Sequence, residues 1–250
     1  MREIKLLSLV VPAYKQEKTI VEDIKNLDKV LSSFSFKHEI IVVVDGSPDK
    51  TYDLLKNQES KIKDLKLINY EKNQGKGYAV KRGVLEAQGD IIGFIDAGMD
   101  LDPSEISVAL DLMDWNNADI IVGSKLHPES KVNYPFSRLF LSWGYRTLNR
   151  LLFGFSVKDT QVGFKFFKKK VAKDVFSAII IKRFAFDIEV LAVAQEQGYT
   201  RIFESPIKLN FNRASSIVSG SFWKTIYNML WDTAAVFYRL RVLHYYDKKV

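Results

Sequence analysis

A chain of 250 residues with 47% hydrophobic side chains can bury one substantial core, and a single compact α/β domain over residues 1–250 is the expected organisation. The absence of cysteine excludes a disulfide framework, a thiolate nucleophile and a cysteine-based zinc site, and His38, His127 and His244 are too scattered for a histidine metal cluster. A net charge of +7 points to anionic partners such as a nucleotide, a phosphorylated substrate or an acidic membrane surface; with no recognised binding module, nucleic acid is not expected.

Residues 6–11 form a continuous apolar run, suited to a strand buried on both faces, and Pro12-Ala13-Tyr14 ends it. Apolar residues then recur with helical spacing at Ile20, Ile24, Leu27, Val30 and Leu31. A second buried strand, 39–44, runs into the turn-rich Asp45-Gly46-Ser47-Pro48-Asp49, with a helix from Thr51. A third strand near Leu67-Ile68, a helix over 78–87, a nearly charge-free strand 91–95, a helix over 103–113 and a strand 118–122 continue the alternation. Strands alternating with helices imply a parallel sheet with right-handed crossovers.

The pattern changes after Gly123-Ser124-Lys125. Residues 136–153 read as a helix with a wide aromatic face and a stripe of Arg138, Ser142 and Arg146. Such a stripe suits a phosphate at a membrane surface, and it equally suits the solvated side of a core-packing helix. A loop from Asp159 to Lys165 leads to a short strand, a helix follows over 185–197, and strands are expected near 201–203 and 207–211. The polar loop from Asn212 to Ser216 offers Arg213 and hydroxyls to a phosphate. The last helix, 222–243, is apolar almost all round and carries Trp223 and Trp231. The amino terminus lacks a small-residue cleavage site, and the longest stretch without Asp, Glu, Lys or Arg is the ten residues 214–223, so no spanning segment is expected.

The chemistry concentrates where strands end. Carboxylates beyond the C-terminal end of a buried strand lie where open α/β sheets bind ligands, and Asp96, Asp100 and Asp102 follow strand 91–95. Converging carboxylates without histidine or cysteine suit a hard divalent cation, Mg²⁺ or Mn²⁺, completed by water and phosphate. Asp102, before Pro103, Ser104 and Glu105, is expected to cap a helix, while Asp96 is the expected ligand. Asp45 suits either a nucleoside contact or an ordinary turn aspartate. The glycines of Asn73-Gln74-Gly75-Lys76-Gly77 suit either close approach to a ligand before a helix N-terminus or a simple turn.

These segments in this order resemble a family-2 glycosyltransferase of the GT-A fold, a mostly parallel sheet flanked by helices with amphipathic C-terminal helices. The resemblance covers about residues 6–243. VVPAYKQEKTI, EIIVVVDGSPDKT and GDIIGFIDAGMDLDP match the family's first strand, its nucleotide-contacting strand and its Asp-x-Asp region. NQGKGYAVKRG, GSK, DTQVGFKFF, KRFAFDIEVL and the closing helix resemble the polyprenyl-phosphate branch, dolichyl-phosphate glucosyl- and mannosyltransferases, with DTQVGFK and KRFAFDIEVL leaning to the glucosyl type. The resemblance implies an inverting transfer of a hexose, glucose from UDP-glucose, to a polyprenyl or dolichyl phosphate. It divides the chain into a nucleotide-sugar half, 1–125, and an acceptor half, 126–250. Pro12, Tyr14, Glu17, Asp45, Gly75, Lys76, Asp96 and Ala97 would then hold the UDP- or GDP-hexose, and Asp96 and Asp100 the cation. Lys125, Arg138, Ser142 and Arg213 would surround the acceptor phosphate, with Asp159 lining the sugar and Asp96, Asp159 and Arg213 at the reaction centre. The helices 136–153 and 222–243 would dock peripherally on the cytoplasmic face of the membrane. Three departures stand out: Val44 replaces the first of a usual aspartate pair, Gly98 replaces the second aspartate of Asp-x-Asp, and Lys125 replaces an arginine fork with a point charge. A soluble saccharide acceptor, with Asp159 or Asp187 as base, and a weakened sugar-nucleotide-binding protein are the competing expectations.

Overall fold

The computed structural model describes residues 4–98, 101–132, 136–183, 185–209 and 222–247, with the backbone alone at 132, 136–143 and 222–225. The first half alternates as expected: β1 (Leu6–Ala13), α1 (Ile20–Leu31), β2 (Lys37–Asp45), α2 (Thr51–Lys56), β3 (Leu65–Tyr70), α3 (Lys76–Glu86), β4 (Ile91–Ile95), α4 (Glu105–Trp115) and β5 (Ile120–Ser124). The second half adds β6 (Lys131–Val132), α5 (Phe136–Phe153), β7 (Phe164–Lys168), α6 (Lys169–Ala178), α7 (Phe186–Glu196), β8 (Ile202–Pro206), β9 (Lys208–Leu209) and α8 (Phe222–Arg241).

The main sheet has seven strands in the order β3-β2-β1-β4-β7-β5-β8, and β6 pairs with β9 in a small second sheet. Apolar runs rather than alternating ones build the central strands because both faces are covered. Val10, Ile41, Val43, Ile92 and Phe94 face the layer containing α3, α6 and α7. Their neighbours Leu9, Val11, Ile40, Val42 and Ile95 face the layer containing α1 and α4, as the two-residue period of a strand requires. Each fully buried Leu, Ile or Phe contributes roughly 1.5–3 kcal/mol against exposure.

The parallel sheet expected from the alternation is interrupted by β7, which runs antiparallel to both β4 and β5. This strand wedges between the two because Gly93 of β4 leaves room for the Phe166 ring, which lies where a Cβ at 93 would stand, 2.5 Å away. Helix α6, between β7 and α7, was not among the elements read from the sequence. Its apolar residues Val171, Ala172, Val175 and Phe176 bury one face at helical spacing beside a run of lysines. The helix expected from residue 103 starts at Glu105 with Ser104 rather than Asp102 at the N-cap position, and the Asp102 carboxylate instead accepts the Ser104 N–H at 2.9 Å in the turn that leads into the helix.

Candidate active site at the strand ends

Four loops meet where β1, β2, β3 and β4 end. The first two are laced together by side chains: Asp49 accepts hydrogen bonds from the Ser47 and Thr51 hydroxyls at 2.6 Å and from the Glu17 N–H at 3.2 Å. Glu17 returns the contact by accepting the Lys50 N–H at 3.1 Å, so its carboxylate braces the loop after β2. Burial pushes the Asp49 carboxyl up, but these hydrogen bonds outweigh it and hold the group below its ordinary value. Pro12 sits within β1, Tyr14 is half exposed at its end, and Ala97 packs partly buried against the α1 and α4 layer.

Asp45 is buried, and both carboxylate oxygens are occupied. They accept the Tyr70 hydroxyl at 2.8 Å, the Asn73 amide at 2.9 Å, the Gln74 N–H at 2.7 Å and the Gly75 N–H at 2.9 Å. The carboxylate therefore shapes the loop before α3, and the backbone donors of that loop point at Asp45. Gly75 takes φ +101°, and a Cβ there would stand 2.4 Å from the Lys182 carbonyl oxygen, so the glycine lets the loop lie against the segment before α7.

Lys76 opens α3 and reaches across to Asp96, the first residue after β4. Its ammonium lies 2.7 Å from Oδ1 and 2.8 Å from Oδ2 of that carboxylate. Only the Oδ2 contact has hydrogen-bond geometry; Oδ1 is buried without a hydrogen-bond partner among the described residues. Gly163 of the DTQVGFK loop makes this close seat possible, because a Cβ there would meet Asp96 Oδ2 at 2.0 Å, while the Gly163 carbonyl accepts the Asp96 N–H at 3.0 Å. Burial pushes the Lys76 ammonium down, but Asp96 and Asp187 outweigh it and hold it above the ordinary lysine value.

Behind this pair lies a second one. Lys165, in β7, is fully buried, donates to the Val162 carbonyl at 2.8 Å and pairs with Asp187 at the start of α7. Burial pushes the Lys165 ammonium down and the Asp187 carboxyl up, each opposed by the other's charge. Asp187 thus has its oxygen engaged inside the protein, unlike a base poised for an incoming hydroxyl. Asp159 is also buried and accepts the Lys125 N–H at 3.1 Å, with the Lys125 ammonium at 3.8 Å. The sequence named Asp187 and the DTQVGFK motif; the pairing of Lys165 with Asp187 was missed. Lysine in an otherwise aromatic strand, FKFFK, is the signal for it, since such a residue needs a buried acid.

Asp100 and Arg213 lie outside the described residues, and Arg138 and Ser142 are described only as backbone within α5. Among the described residues no group of three or more acids or histidines forms a metal set. The residues at Asp96 nevertheless fit one hard cation: a buried carboxylate oxygen without a hydrogen bond is a ligand in waiting, and ions of this type take one or two carboxylates, with water and phosphate completing the shell. Gly98, where a second acid would stand, has φ +103°, a conformation that side chains rarely adopt, and its N–H donates to Asp23 at 3.0 Å.

The profile of Glycosyl transferase family 2 matches residues 8–176. A dolichyl-phosphate beta-glucosyltransferase of Trichomonas vaginalis is 35% identical over 216 residues, covering 82% of this chain and 65% of the relative. The human dolichyl-phosphate beta-glucosyltransferase is 32% identical over 237 residues, with 88% and 71% covered, and a dolichol-phosphate mannosyltransferase of Pyrococcus furiosus is 30% identical over 228 residues, with 90% and 61% covered. The chain therefore spans about two thirds of the length of the Trichomonas relative. Among solved structures, glucosyl-3-phosphoglycerate synthase from Mycobacterium tuberculosis, in complex with Mn²⁺, UDP and phosphoglyceric acid, superposes with a TM-score of 0.69 at 19% identity, covering 94% of this chain and 78% of that one. Mannosyl-3-phosphoglycerate synthase from Rubrobacter xylanophilus gives 0.68 at 16% identity, with 98% and 77% covered. The fold shared with these structures is the GT-A arrangement.

Proposed function

The chain belongs to glycosyl transferase family 2, and from that premise we propose that it transfers glucose from UDP-glucose, with inversion, to the phosphate of a dolichyl or polyprenyl lipid. The observation that carries the reading is the Asp96 carboxylate at the end of β4, seated against Gly163 and paired with Lys76, with Oδ1 in contact with that ammonium but without a hydrogen bond. A donor diphosphate brings negative charge, and Lys76 is the cation at hand to meet it. A divalent ion, Mg²⁺ or Mn²⁺, on Asp96 with Asp100 as a second ligand would supply further charge neutralisation on the leaving group.

In this reading residues 1–125 hold the donor, with Tyr14, Glu17 and the Asp45-shaped loop forming the nucleoside side. Residues 126–250 hold the acceptor, whose phosphate meets Lys125, Arg138, Ser142 and Arg213. An acceptor phosphate is already anionic near neutral pH, so no strong base is required and Asp159 serves to position Lys125.

Among the described residues no helix is long and apolar enough to cross a membrane. Along α8, however, Tyr227, Leu230, Trp231 and Tyr238 are exposed on one side, and Leu151 of α5 is 80% exposed. Aromatic side chains on an amphipathic helix suit the lipid–water boundary, and this face supports peripheral docking on the membrane leaflet that carries the acceptor.

The test is incubation of the protein with labelled UDP-glucose or GDP-mannose and dolichyl phosphate, followed by extraction into organic solvent, with a soluble saccharide acceptor in parallel. Label from UDP-glucose should enter the organic phase, and Asp96→Asn should reduce the rate on the order of a hundredfold or more. Label moving only to the soluble saccharide would overturn the lipid acceptor.

A further inference from the structure

Lys76 touches both oxygens of the one described acid positioned to receive a divalent ion. We infer that Lys76 is a resident cation that competes with the divalent ion for Asp96, so that the ion binds well only when a diphosphate arrives to take Lys76 over; this rests on the donor reading above. The contact is built rather than incidental. Lys76 is the first residue of α3, directly after Gly75, whose Cβ position is filled by the Lys182 carbonyl at 2.4 Å. Gly77, on its other side, packs where a Cβ would stand 2.7 Å from Phe186 Cβ and 2.8 Å from the Ile181 carbonyl oxygen. The loop is therefore fixed on both sides of the lysine. The side chain itself is largely covered, at 18% exposure, and its ammonium lies 5.8 Å from the centre of the Phe186 ring.

Charge gives the direction of the effect. Lys76, Lys165, Asp96 and Asp187 sum to zero, so a divalent ion entering beside them adds two positive charges, of which Asp100, the proposed second ligand, would offset one. Gly98 adds no carboxylate where a second one would stand. A nucleoside diphosphate restores the balance, and the Lys76 ammonium then has phosphate oxygens to bind in place of Asp96.

The test is a titration of the full chain with Mn²⁺, read by loss of the free-ion electron paramagnetic resonance signal, with and without UDP. Wild type should bind Mn²⁺ weakly alone and at least about tenfold more tightly with UDP, the scale on which a neighbouring charge alters occupancy of a carboxylate. Lys76→Gln should tighten Mn²⁺ binding in the absence of UDP on the order of tenfold, and Lys76→Arg, which keeps the charge, should not. A variant that merely damaged the site would lose affinity, so a gain is diagnostic; melting curves show that each variant is folded. If Asp96→Asn abolishes binding but Lys76→Gln leaves the UDP-free affinity unchanged or lower, the competition is wrong and the donor reading stands. If Asp96→Asn binds Mn²⁺ and UDP as wild type does, both are overturned.

Discussion

At the edge of the sheet where β1, β2 and β4 begin, Glu39 accepts from the Ser8 hydroxyl, from Lys66 at 2.5 Å and from the Gln88 N–H at 2.8 Å, and Asp90 accepts the Lys5 and Leu6 N–H groups at 3.0 and 3.1 Å. Asp119, at the start of β5, is met by the Arg201 guanidinium at 2.8 Å. At the opposite edge Asp96 is less completely satisfied: Lys76 spans both of its oxygens, one of which lacks a hydrogen bond, and the Lys165–Asp187 pair is sealed behind them. Glu39, Asp90 and Asp119 at the first edge each take backbone N–H donors from adjoining segments, with charged side chains added at Glu39 and Asp119, which closes the structure. Asp45 and Asp49 at the second edge are saturated in the same way, but Asp96 is balanced by the single flexible side chain of Lys76, which a ligand can recruit.

That contrast is tested most severely by removing one lysine from each edge. Lys165→Ala strands a buried carboxylate and should cost about 3–5 kcal/mol. Lys66→Ala removes a half-exposed partner while Ser8 and Gln88 still serve Glu39, and should cost about 0–1 kcal/mol. Equal losses in chemical denaturation would erase the distinction. A matched pair of glycine changes separates function from folding. Gly163→Ala puts a methyl 2.0 Å from Asp96 Oδ2 and should reduce transfer on the order of a hundredfold by displacing that carboxylate. Gly89→Ala, whose methyl would meet the Ser8 N and Oγ at 2.6 and 2.7 Å, should lower the melting temperature yet leave turnover per folded molecule unaltered.

The smallest effect is one of pH. Burial pushes the Glu39 carboxyl up, but Lys66, Ser8 and Gln88 together bring it below its ordinary value near 4.5. A depressed folded-state value means that the stabilisation is complete above about 4.5 and is lost as pH falls through the lower folded-state value. Denaturation midpoints measured from neutral to acid pH should show this fall in wild type and a shallower one in Glu39→Gln; identical slopes would remove Glu39 from the account.

Much of the candidate site is legible in the sequence. Asp96 follows the strand-end pattern and Asp159 the DTQVGFK resemblance; the glycines flanking Lys76 suit a turn or close approach to a ligand, and the atoms they approach are those of Ile181, Lys182 and Phe186. For Asp45 the sequence left a nucleoside contact and a turn role open; the four donors around its carboxylate give it a loop-shaping role, and any contact with a nucleoside belongs to the proposed function. The Lys165–Asp187 pair was hidden because its members are separated by the whole of α6 and lie on different elements. Helix α6 was not read from the sequence although Val171, Ala172, Val175 and Phe176 carry its period.

By itself the sequence determined the alternation of strands and helices through β5, the two-sided burial of the central strands, and the gathering of acids and glycines at one edge. All of these are local periodicities, two residues in a strand and 3.6 in a helix, written into neighbouring side chains. Tertiary structure decided that β7 enters antiparallel between β4 and β5, that Gly163 thereby comes to lie against Asp96, and that each buried lysine finds its carboxylate. Such choices depend on which distant surfaces fit and which charges must be neutralised once water is gone, and no run of adjacent residues encodes them.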